Sequence, residues 1–277
     1  MALCLADSLV ECGGFDPADQ MRRYVRWWRH GYRSSRPGVC FDIGNTVRTA
    51  LARFERTGEP FAGSSDENSA GNGSLMRLAP VSMFYASMPA EAIARAADSS
   101  RTTHGAAEAV DACRYFAALL VGALRGEPKS VLLSEGLDPV GMTWDNLQLA
   151  TRIREIAEGS YKRRESPTIR ASGYVVHTLE AALWAFHASS TFKEGALLAV
   201  NLGEDADTTG AVYGQLAGAF YGAAAIPRGW RDQLYGGDAI TDLAIQLHER
   251  QPASHQASSN GVAARRVDDE GPPEGGD

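Results

Sequence analysis

Along most of the chain apolar residues return every three or four positions, the spacing of one buried face on an α-helix. Residues 1–12 read as helix from the start, with Leu3, Ala6, Leu9 and Val10 on one face and Gly13-Gly14 as the stop. Asp16-Pro17 then supplies an N-cap followed by proline at the first helical position. The helix it opens buries Met21, Tyr24, Val25 and Trp28, and Arg22, Arg23, Arg26 and Arg29 fall mostly on a solvated face. Residues 41–54 predict another helix, with Asp42, Asn45 and Thr46 in its first turn and Ile43, Val47, Ala50, Leu51 and Phe54 as its stripe. Further helices are expected over 87–97, after His104 through Leu124, over 144–158 and over 173–187. Thr191 and Glu194 form a capping box for the next one, and a last helix after Pro227 uses Trp230, Leu234, Ile240, Leu243 and Leu247. No pair of period-two strands is visible. The pattern predicts an all-α fold, a compact single-domain helical bundle over 1–250, followed by a disordered acidic tail over 251–277.

Residues 201–222 carry the densest chemistry. Asp205, Asp207, Thr208 and Thr209 fall within five residues, ahead of glycines at 210, 214, 218 and 222. Fourfold spacing places those glycines on one helical stripe, where another helix is expected to approach closely, since each glycine costs roughly 1 kcal/mol against alanine. Oxygen ligands at a helix start suit Mg²⁺, Mn²⁺ or Ca²⁺. An N-cap at Asp207 or Thr208 is the competing explanation; it accounts for one residue and leaves the second acid over. Upstream, residues 58–73 form a loop rich in Gly, Ser, Asp and Asn. Its Gly71-Asn72-Gly73 end is either a turn or a cradle of backbone amides for phosphate. His104, ahead of a long helix, reads alone as a structural hydrogen-bonding histidine whose charged form the helix dipole disfavours.

Composition narrows the class. Hydrophobic residues at 44% and aromatics at 8% are ordinary for a globular protein, and the net charge is −7 without a dense basic cluster. That argues against nucleic-acid backbone binding but leaves room for an anionic small molecule met by metal ions and amides. Cys4, Cys12, Cys40 and Cys113 show neither C-x-x-C pairing nor zinc spacing and are expected to be reduced thiols. With no basic-then-apolar leader and no apolar run long enough for a membrane, the expectation is a cytoplasmic protein with no membrane partner.

Five segments together resemble the ADP-ribosylglycohydrolase family: FDIGNT (41–46), AGNGSLMRLAP (70–80), SSRTTH (99–104), GYVVHTLEAALWAF (173–186) and NLGEDADTTGA (201–211). The resemblance runs from residue 1 to about 248 and implies an all-α bundle. It further implies hydrolysis of the glycosidic bond between ADP-ribose and a protein side chain or small molecule, with two Mg²⁺ or Mn²⁺ ions. By resemblance Asp205, Asp207 and Thr208 are metal ligands, and Asp42 is the acid near the ribose. Asn45, Gly71, Asn72, Gly73, Ser74 and His104 line the ADP-ribose cleft, with Tyr174 as an aromatic beside the ligand. His177 stands where many relatives have an acid. The family's Thr-Asp-Asp metal segment, which precedes the helix that here begins at Met1, is not in the sequence, so an incomplete metal site with impaired activity is expected. A non-catalytic module for ADP-ribose or metal, and a vestigial helical protein, are the alternatives.

Overall fold

The computed structural model describes residues 1–40, 42–135, 140, 148–165 and 167–252, and the regular structure among them is helical. In chain order the α-helices are α1 (Ala2–Cys12), α2 (Pro17–His30), α3 (Asn45–Thr57), α4 (Ala79–Phe84), α5 (Pro89–Arg101), α6 (Ala107–Leu124), α7 (Lys129–Leu132), α8 (Thr151–Ala157), α9 (Val175–Ala188), α10 (Phe192–Val200), α11 (Ala206–Tyr221), α12 (Arg228–Arg231) and α13 (Gly237–Glu249). Helix α6 is buried over almost its whole length, with Phe116, Ala117, Leu119 and Val121 sealed from solvent and its charged residues Glu108, Asp111 and Arg114 confined to its first half. A helix of that kind belongs at the centre of a bundle. Helices α4, α5, α9 and α11 pack around it. Each large apolar side chain so buried contributes about 1.5–3 kcal/mol, and one continuous core links α1 to α13.

Several helix ends are written in local chemistry. The Asp16 carboxylate accepts the Asp19 amide at 2.8 Å, and Pro17 follows at the first helical position. Helix α2 stops at Gly31, whose φ of 61° is left-handed and where a Cβ would sit 2.2 Å from the Val39 amide nitrogen. The Thr191 hydroxyl accepts the Glu194 amide at 3.1 Å, and the Glu194 carboxylate reaches back to the Ser190 amide at 2.8 Å.

Elsewhere the structure corrects the sequence reading. Helix α3 begins at Asn45, so Asp42 and Ile43 precede it in irregular chain, and Gly44 is its N-cap. The expected last helix is broken by Gly236 at φ 70° into α12 and α13, leaving Trp230 and Leu234 42% and 54% exposed. Among the described residues another helix approaches the glycine stripe of α11 at Gly210 and leaves Gly214 and Gly218 open. A Cβ at Gly210 would meet the Val200 side chain at 2.9 Å, but one at Gly214 or Gly218 would meet nothing within 4 Å. Helix α11 buries instead the face carrying Thr209, Val212, Tyr213, Leu216 and Ala217. Of the helix expected over 144–158, α8 is the helical part among the described residues and 144–147 lie outside them, as does the expected tail from 253 onward.

Candidate active site

Two isolated backbone bridges bring distant loops together at one end of α6, pairing Ser64 with His104 and Gly71 with Tyr174. A cavity of about 530 Å³ opens beside them, lined by Asp42, Asn45, Thr46, Gly71, Asn72, Gly73, Arg77, His104, Asp205 and Thr208 among others. A second, of about 1070 Å³, is lined by Glu67, Asn68, Glu108, Arg152, Glu155 and Tyr174. Thr46, Gly71 and Gly173 border both, so the two cavities adjoin.

Asp205 is the N-cap of α11, yet its carboxylate caps no amide of its own helix. It is held from the side: Asn72 Nδ2 donates to Asp205 Oδ2 at 2.7 Å and to Thr178 Oγ1 at 2.8 Å. The Asp205 amide donates to Ala171 O at 2.7 Å, which anchors the backbone. Just before it, Gly203 and Glu204 both take left-handed φ, 77° and 50°. For glutamate that conformation costs roughly 1–2 kcal/mol, and it delivers Asp205 to the cavity wall. Thr208 is buried one turn on, whereas Asp207 is exposed and outside the cavity lining.

The other expected residues divide in the same way. Asn45, Gly71, Asn72, Gly73 and His104 all line the smaller cavity, and Asp42 joins them from the chain before α3. Ser74 is turned into the core, where its hydroxyl accepts from Ser100 Oγ at 2.9 Å. Tyr174 faces the larger cavity and donates its hydroxyl to Glu108; burial first, and Glu108 second, push its pKa up to about 12. His104 is 2% exposed, and burial, assisted by the positive charge of Arg77, brings its pKa down to about 3. Burial thus does what the sequence reading assigned to a helix dipole. His177 packs edge-on against Tyr174 and shares a 2.8 Å hydrogen bond with Ser172 Oγ.

Arg77 was not expected here. It sits in the MRLAP segment, 2% exposed, with neutral oxygens as its hydrogen-bond partners. A lone arginine between the buried Leu75 and Leu78 was its sequence signal.

Residues 1–257 match the ADP-ribosylglycohydrolase family. The chain belongs to that family. It is 42% identical over 252 residues to the protein named ADP-ribosylarginine hydrolase Tri1 of Pseudomonas putida (strain GB-1), covering 91% of the chain and 65% of that relative. It is 38% identical to the protein of the same name from Serratia proteamaculans (strain 568), covering 91% of the chain and 66% of the relative. The chain therefore spans just under two thirds of the length of either protein. The ADP-ribosyl-[dinitrogen reductase] glycohydrolase of Rhodospirillum rubrum is 31% identical over 84% of the chain and 71% of its own length. A solved ADP-ribosylglycohydrolase-related protein complex superposes with a TM-score of 0.77 at 46% identity, covering 91% of the chain and 80% of that structure. The family and this likeness agree with the all-helical fold. No described helix is long and apolar enough to cross a membrane.

Proposed function

We propose that this chain cleaves the glycosidic bond between ADP-ribose and a protein side chain, arginine in the first instance, with the bond placed in the smaller cavity. One observation carries the reading: the N-cap carboxylate of Asp205 is withheld from its own helix and held by Asn72 at the wall of a cavity that also receives Asp42 and Thr208. An acid kept from its local partner is available to a ligand. The names of the Pseudomonas and Serratia relatives support arginine as the modified residue.

The cavity's donors are carboxylate and hydroxyl oxygens, the kind a hard divalent cation prefers. Among the described residues no group of three or more His, Cys, Asp or Glu side chains comes together. The oxygens present therefore fit one side of a Mg²⁺ or Mn²⁺ site. Asp205 and Thr208 would hold the ion, whereas Asp207, the third residue of the expected set, is exposed and does not line the cavity. A bound divalent ion supplies Lewis acidity toward ribose hydroxyls and water. The chain's own residues do the rest. Asn72 fixes the Asp205 carboxylate, Asp42 meets the ribose as a hydrogen-bond acceptor or an acid, and Gly71 and Gly73 let main-chain amides approach a diphosphate. Glycosyl hydrolysis needs an activated water and help for the leaving group, and the two acids that line the cavity, Asp42 and Asp205, are the candidates for these tasks.

The test is release of ADP-ribose from ADP-ribosylarginine protein, measured with Mg²⁺ or Mn²⁺ and with chelator. Metal-dependent release supports the proposal. Tight ADP-ribose binding without release would favour the non-catalytic module.

A further inference from the structure

Thr103 is fully buried and its hydroxyl stands between two groups of unequal freedom. On one side Arg77 Nη2 lies 2.8 Å from Thr103 Oγ1; on the other, His104 Nδ1 lies 2.8 Å away. A guanidinium has only donors, so Thr103 must accept from Arg77. Its own proton then needs an acceptor, and among the described residues His104 Nδ1 is the partner in reach. Neighbouring Thr102 shows the same logic: its hydroxyl also faces Arg77 Nη2 and sends its proton to Ser99 O at 2.7 Å.

We propose that Arg77, acting through Thr103, fixes His104 as the tautomer with its proton on Nε2, so that the ring presents a set N–H donor to a ligand oxygen in the smaller cavity. Nε2 has no hydrogen-bond partner among the described residues, and His104 lines that cavity. An ideal Cβ would lie 3.4 Å from Nε2 at Gly71 and 3.2 Å from it at Gly73, so the glycine loop leaves that edge of the ring uncovered by side chains. Arg77 also donates to Gly73 O at 3.1 Å and to Ser99 O at 2.9 Å, tying the loop and the end of α5 to the same charge. Burial and the Arg77 charge both oppose a second ring proton. Arg77 and Thr103 are thus positioning residues, and His104 is a donor to an acceptor oxygen of phosphate or ribose rather than a proton shuttle. The inference rests on the proposed ADP-ribose cleft for its ligand, but not for the placement of the proton.

The experiment is ¹⁵N NMR of the histidine rings in the whole chain, with ADP-ribose affinity measured alongside. The wild type should show His104 protonated at Nε2 alone at neutral pH. Thr103→Val, which keeps the shape and removes the hydroxyl, should give a mixture of tautomers and weaken ADP-ribose about tenfold, the worth of one such hydrogen bond. Thr103→Ser should restore both. Arg77→Met should behave like Thr103→Val where circular dichroism shows it folded, and Thr103→Val decides the matter where it does not. Protonation at Nδ1 in the wild type, or a tautomer unchanged in Thr103→Val, would overturn the proposal. Failure of the wild type to bind ADP-ribose would overturn the reading of the cleft, and the ¹⁵N spectrum still decides the tautomer either way.

Discussion

Asn72 and Asp205 lie 133 positions apart and meet through a 2.7 Å hydrogen bond from amide to carboxylate. The same amide holds Thr178 on α9, so one side chain ties the glycine loop, α9 and the start of α11 into one wall. Asn72→Ala should destabilise the protein by about 1.5–3 kcal/mol, the range for hydrogen bonds to charged groups, as read from urea unfolding. It should also weaken Mn²⁺ binding by freeing the carboxylate to turn onto its own helix. A change in stability alone, with Mn²⁺ affinity intact, would make Asn72 purely structural.

The metal proposal is tested by comparing amide variants in calorimetry with Mn²⁺. Asp205→Asn should lose affinity most, since an amide cannot replace an anionic oxygen toward a hard cation. Asp207→Asn should lose less, because that side chain is exposed and outside the cavity lining. Asp232→Asn, an exposed change in the turn after α12, should bind like the parent. Equal affinities for all three would leave no role for Asp205 as a ligand.

Two glycines should respond in opposite directions. A Cβ at Gly73 would sit 2.9 Å from His104 Cε1, and that ring is buried and tied to Thr103. Gly73→Ala should therefore cost about 1–3 kcal/mol, the usual price of overpacking, and reduce ADP-ribose affinity. Gly214→Ala meets nothing within 4 Å inside a regular helix and should raise stability by up to about 1 kcal/mol. Thermal melts of the pair give both signs in one comparison.

His104 makes stability depend on pH. Its pKa falls from 6.5 to about 3 in the folded protein, so between those values the unfolded chain takes up a proton that the native ring refuses. Stability from this group is complete above pH 6.5 and declines as pH falls toward 3, by at most about 1.4 kcal/mol per pH unit. Urea midpoints at pH 4.5 and 7 should differ more in the parent than in His104→Gln. Equal differences would show that the ring titrates normally.

Much of this was legible because helices report themselves locally. The stripe of α6, the Asp16-Pro17 start of α2 and the capping box of α10 depend on neighbours within one turn, and each was readable. The glycines of α11 misled for the complementary reason. Spacing places residues on a face, but whether another helix covers that face is a tertiary fact, and here Gly214 and Gly218 are open. The candidate site was legible as a set of residue types and illegible as a network. That Asp205 is the N-cap, that Asn72 rather than an α11 amide takes its carboxylate, and that a buried arginine stands behind His104 all depend on contacts between distant segments.

Thr46, Gly71 and Gly173 border both cavities, and this shared border is where the two adjoin. A guest long enough to occupy both would cross that border where two of its three residues, Gly71 and Gly173, offer main chain alone. Main-chain groups rather than side chains would then meet most of its middle, which leaves side-chain discrimination to the two ends.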